Sequence, residues 1–224
     1  MADGKSTFDY LDAYCERAGH DGLWAEPINA ITNLAFIIAA WFCFQQIRRV
    51  PFSWRVADIW VLVAALFAIG VGSGLWHTHA TQETLLADVI PILIFMNVYL
   101  LAAMRRLFGL AWWKVGVLFA AYQGLNFASE LYLPRDFMNG TVMYLPTFLT
   151  LIFMTVAMTY KNKAYGKVFE YVVLVWLVSL FFRTVDLEFC SFLPFGTHFM
   201  WHILNSVVLY RLLKLLIDDV RSKA

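Results

Sequence analysis

His198 and His202 stand four residues apart in THFMWHILN, inside an apolar run long enough to cross a bilayer. That spacing stacks two imidazoles on one face of a helix. VGSGLWHTHA repeats the spacing with Ser73 and His77, and LLADVIP supplies Asp88. Ionisable groups at membrane depth are costly and tend to be paired or functional. Three neutral imidazoles with one open position are an arrangement that catalytic zinc uses, its fourth ligand being water. Zinc lowers the pKa of that water to about 7 and so supplies hydroxide at neutral pH. A carboxylate beside it could move protons, and a hydroxyl could donate to a developing oxyanion. Taken singly, each residue has a plainer reading. A lone membrane histidine is most often a packed, hydrogen-bonded contact, Ser73 among glycines eases close helix packing, and Asp88 can cap a helix. His79 competes with His77 as third ligand, but it lies about 200° further around a helix, so both cannot face one metal. The Ser73 spacing and a position further inside the span favour His77.

Helices in a membrane must position these groups. Of 224 residues, 61% are hydrophobic and 15% charged, whereas a soluble domain is about half apolar and a quarter charged. Seven segments reach the length of roughly 20 residues that a crossing needs, near 28–47, 57–76, 86–104, 111–129, 141–159, 168–184 and 198–216. The connections are short, so the sequence predicts an all-α membrane protein, a single seven-helix bundle over 28–217. Residues 1–27 are expected to form an extramembrane segment and 218–224 a short cytosolic tail. The polar start has no cleavable signal peptide pattern.

Lys and Arg give the orientation. Lys5, Arg17, Arg135 and Arg183 fall on one side, and the other thirteen, from Arg48 to Lys223, on the opposite side. This bias places the N-terminus outside and the C-terminus in the cytosol. Ser73, His77, Asp88, His198 and His202 then share one level near the outer face, though up to 129 residues separate them. The formal net charge of +1 and the lack of a basic stripe argue against a nucleic-acid partner. Cys15, Cys43 and Cys190 are odd in number and lack CxxC spacing, so neither a disulfide framework nor a thiolate zinc site is expected. Asn126, Glu130, Arg183, Asp186 and Glu188, near the outer face, read as an ion-pair network tying loops together. Asn29 and Asn33 read as hydrogen-bonding partners of loops or neighbouring helices.

At these residues the chain resembles the alkaline ceramidase family, within the wider superfamily that includes the adiponectin receptors. The resemblance runs in order through YCE at 14–16, AEPINAITN at 25–33, GSGLWH at 72–77, LADVIP at 86–91 and GTHFMWHILN at 196–205. It implies a seven-helix intramembrane amidase that cleaves the N-acyl bond of ceramide, giving a sphingoid base and a fatty acid. His77, His198 and His202 become zinc ligands, and Ser73 and Asp88 the catalytic pair. The family also implies a calcium site in the N-terminal segment, with Glu16 and Glu26 as acidic ligands. The match there is incomplete: Ala13 stands where an aspartate is expected, with Asp12 one position off, and Ala18 replaces an asparagine, leaving Asp21 or carbonyls to complete the six to eight oxygens calcium wants. The expected partners are a membrane lipid substrate and the membrane itself. A second reading from a different class is a zinc-containing lipid receptor or signalling protein with little hydrolysis, since fold does not fix function. Retention of the full set of polar residues favours chemistry, and the short cytosolic loops leave little surface for a receptor's partners.

Overall fold

The computed structural model describes residues 14–20, 22–134 and 137–223 and is helical throughout, with no strand among those residues. Eight α-helices follow one another. They are α1 (Pro27–Thr32), α2 (Leu34–Ile47), α3 (Ala57–His79), α4 (Gln82–Arg106), α5 (Trp112–Tyr132), α6 (Leu145–Lys161), α7 (Lys163–Thr184) and α8 (His198–Arg221). The first two form one apolar element, interrupted only at Asn33, so seven long helical elements stand where seven segments are predicted. Six of them are long and apolar enough to cross a membrane. The exception is α5, which is long enough but carries Lys114, Gln123, Asn126 and Glu130 along its length. Two ends run further than expected. α7 begins at Lys163, where the Asn162 side chain accepts from the N–H groups of Ala164 and Tyr165. α8 continues to Arg221, with Asp219 buried and accepting from the Tyr165 hydroxyl.

The centre of the bundle is built by α3 and α8, the two helices with the most buried residues. α3 packs against α4, α2, α1 and α8, and α8 also packs along α7. Leu62, Leu66, Ile69, Leu213, Leu216 and Ile217 fill the seam with almost no exposure. Without a hydrophobic driving force between helices in lipid, such contacts depend on close van der Waals fit and small residues. Gly72 shows this directly, because a Cβ there would lie 2.0 Å from the carbonyl oxygen of Ala87. α3 and α4 therefore touch backbone to backbone one residue from Ser73 and one residue from Asp88. Gly70 plays the same part toward the first element, where a Cβ would come within 2.7 Å of Ile37 and 3.1 Å of the Asn33 carbonyl.

The N-terminal segment is tied across the end of the bundle by a Cys15–Cys190 disulfide. This corrects the expectation drawn from cysteine count: two of the three cysteines pair across 175 residues, and Cys43 alone is free and buried. Spacing rules detect local motifs, whereas this pair is brought together only by the folded bundle.

Candidate metal centre

His77 arrives from the last turns of α3, and His198 and His202 from the first turns of α8. All three are 1–2% exposed. Their ring centroids stand 4.7–5.3 Å apart. One nitrogen of each ring falls within 4.8 Å of the other two, so the cluster could hold a metal ion. α3 stays helical through His79 before Ala80 ends it with a left-handed φ of 47°. His79 therefore points away from the cluster and is exposed, while His77 is buried within it.

Hydrogen bonding tests whether these rings are poised as ligands. The Nδ1 of His77 lies 2.5 Å from Glu26 Oε2, a contact in which the ring N–H donates to the carboxylate. The Nδ1 of His202 lies 2.9 Å from Thr32 Oγ1. The single Thr32 hydroxyl proton is directed to the carbonyls of Ile28 and Asn29 (2.8 and 3.0 Å), so the hydroxyl accepts from His202. Both assignments leave Nε2 as a lone pair. The Nε2 atoms of His77 and His202, together with Nδ1 of His198, are buried without any hydrogen-bond partner. Three orphaned imidazole nitrogens converging on one point, two with their tautomers set from behind, fit a metal ion.

The surroundings are equally specific. Glu26 is 2% exposed and accepts from Arg17 Nε at 2.6 Å and from Asn29 Nδ2 at 3.2 Å, besides His77. Burial works against its anion, yet the His77 contact and the Arg17 guanidinium hold the Glu26 carboxyl below the ordinary carboxylate range. Arg17, itself 1% exposed, also donates to the His77 carbonyl at 3.4 Å. Tyr14 stacks on His198 with centroids 3.9 Å apart and tilts over His77 at 5.0 Å. Burial pushes its phenol up to about 12, so it remains protonated. The N–H groups of Thr197 and His198 both donate to Asp186 Oδ1, at 2.6 and 2.9 Å, and Cys15 N–H donates to Oδ2 at 3.0 Å. Asp186 thus caps α8 where His198 begins and holds the N-terminal segment there.

Ser73 and Asp88 come side by side across the Gly72–Ala87 contact. Ser73 is buried, while Asp88 is half-buried with Oδ1 covered and unpartnered. Below the histidines runs an apolar cavity lined by Phe95, Tyr99, Tyr144, Met154, Trp176, Trp201 and Leu209, among others. The pair of polar groups and the histidine cluster share one end of the bundle, and the cavity begins beside them at Trp201 and runs along α8 to Leu212.

A family model described as Ceramidase matches residues 7–219, nearly the whole chain. The chain belongs to the ceramidase family. Members are hydrolases of the amide bond of ceramide, a membrane lipid. A comparison with curated proteins finds no match.

For this ceramidase, the five residues singled out by spacing come together. Glu16 and Glu26 do not form an open oxygen shell. Glu16 accepts from the N–H groups of Ile28 and Asn29 at 2.7 and 2.8 Å, capping α1, and burial raises its carboxyl while those two donors oppose the rise. Glu26 is matched by Arg17 and His77, so calcium finds no support at these two side chains. Asp12, Ala13 and Asp21, like Lys5 and Arg135, lie outside the described residues. The expected outer ion-pair network is also revised: Asp186 is a helix cap, and Arg183 lies over the rings of Tyr144 and Trp201, 5.7 Å from each centroid. Spacing alone assigned no role to Tyr14 and Thr32, whose partners His198 and His202 lie 184 and 170 residues away, or to Arg17, which reaches the His77 carbonyl 60 residues on.

Proposed function

We propose that this ceramidase is a zinc-dependent intramembrane amidase that hydrolyses the N-acyl bond of ceramide or a related N-acyl lipid. The observation that carries it is the trio of buried histidines with free ring nitrogens beside the Ser73–Asp88 pair. His77, His198 and His202 would hold the ion, neutral nitrogen ligands leaving a fourth position open. Zinc held there supplies a Lewis acid and a water acidified to a pKa of about 7.

The chain's own residues do the rest. Asp88 takes a proton from the attacking water and passes it to the nitrogen of the breaking C–N bond, so the amine leaves neutral. Ser73 directs its hydroxyl between Asp88 and the carbonyl oxygen, where it donates as negative charge develops. Glu26 and Thr32 keep the rings in the ligating tautomer. Tyr14, stacked on His198, closes the centre toward the N-terminal side. The cavity below takes an acyl chain out of hydrocarbon without exposing it to water.

In this reading all seven long elements cross the membrane, residues 1–27 lie outside it, and the C-terminal end of α8 enters the cytosol. The asymmetry of Lys and Arg supports that orientation. So does the disulfide beside the histidines, because disulfides persist in oxidising compartments. The test is fatty-acid release from a panel of ceramides by purified full-length protein, with zinc quantified in the same sample. About one zinc per chain and chelator-sensitive release are expected. Zinc at that stoichiometry without release from any N-acyl lipid would overturn the amidase reading.

A further inference from the structure

Arg183 lies near the end of α7 with a half-buried side chain whose Nε is covered and has no hydrogen-bond partner. No carboxylate touches it directly among the described residues, although Asp88 faces it at longer range and Tyr144 bonds to its side chain. Its guanidinium is instead laid over two aromatic rings, Tyr144 and Trp201, whose centroids are themselves 5.1 Å apart. Trp201 stands in α8 between His198 and His202, and its carbonyl accepts from Ser179 of α7 at 3.3 Å. Both rings belong to the wall of the apolar cavity. A permanent cation is thus fixed by cation–π contacts between the histidine centre and the upper cavity wall, with a donor left over. A covered Nε donor left without a partner is costly, and the planar guanidinium fork suits a carboxylate.

We propose that Arg183 binds the carboxylate of the long-chain fatty acid released by hydrolysis, with the acyl chain lying in the cavity below. Amide hydrolysis adds water across the C–N bond and yields an amine and a carboxylic acid, which ionises near neutral pH. The neutral amide substrate has no such charge, so Arg183 acts on the product side and sets how firmly the acid is retained. The identity of the acid rests on the amidase reading; the assignment of a carboxylate site on an apolar cavity does not.

The test measures binding, not turnover. Full-length protein in detergent micelles is loaded with a fluorescent fatty acid, which is then displaced by palmitic acid or by palmitamide of equal chain length. The wild type is expected to prefer the acid by about tenfold or more, the worth of one charge-assisted contact. Arg183→Met brings that ratio to about one, and Arg183→Lys keeps part of it, with zinc content unchanged in both. If Arg183→Met does not retain zinc or a cooperative melt, Arg183→Gln decides by the same ratio. Equal displacement by acid and amide in the wild type, or an undiminished preference in the uncharged variants, overturns the proposal. The latter would assign the carboxylate to the metal centre. Ceramide hydrolysis in the same preparations separates the two readings. Turnover without a carboxylate preference removes only Arg183, and a preference that depends on Arg183 without turnover removes only the amidase.

Discussion

His77 enters the histidine cluster with its tautomer already chosen, because Glu26 takes the Nδ1 proton and is itself held by Arg17. A partner of this kind typically accounts for 10–100-fold in metal affinity. Glu26→Gln should therefore weaken zinc binding by about that factor in competition with a chromophoric chelator, while the ring ligands stay in place. Arg17→Met leaves the Glu26 anion buried with less compensation and should destabilise the protein by about 3–5 kcal/mol, read as a lower Tm. His198→Ala or His202→Ala should abolish both bound zinc and hydrolysis. Asp88→Asn separates the two, with zinc retained and kcat lowered about 10²–10⁴-fold. Normal turnover in that variant would take Asp88 out of the mechanism.

Between helices, the site depends on two close approaches and one cap. Ser73 and Asp88 meet because Gly72 lets α3 rest on the α4 backbone at Ala87. A methyl group there has no flexible side chain to displace, so α4 itself must move. Gly72→Ala should cost about 1–3 kcal/mol, as overpacking does, and lower kcat further than it lowers zinc content. Equal losses of both would mean that the whole bundle loosens instead. Asp186 does the corresponding work for α8, receiving two of its first N–H groups and the N–H of Cys15. α8 is bound in turn to α7 through the Ser179 contact with the Trp201 carbonyl, which fixes the ring beneath Arg183.

Over the whole molecule, the N-terminal segment is a closing strap: the Cys15–Cys190 bond, the Arg17–Glu26 pair and Tyr14 all draw it onto the histidine end. Replacing both Cys15 and Cys190 with Ser should lower stability by about 2–4 kcal/mol. Zinc content and turnover should fall with the same thermal midpoint, followed by melting with and without reductant. An unchanged midpoint would mean that Asp186 and Arg17 hold the strap unaided.

The sequence by itself determined the helical class, the position of all seven long elements and the residues that converge on the centre. Apolar length, the i, i+4 rule and sparse intramembrane charges are local properties, and helices carry them into space nearly unchanged. Only the tertiary structure decided the rest. Glu26 and Glu16 read as acidic ligands along the chain, and only the folded segment shows their oxygens accepting from His77, Arg17 and the α1 N–H groups. The disulfide, the Thr32–His202 contact and the place of Arg183 over Tyr144 and Trp201 join residues far apart in the chain. Composition and spacing carry no term for such pairs, because which partners meet depends on how closely the helices can approach, and glycines such as Gly72 determine that only in three dimensions.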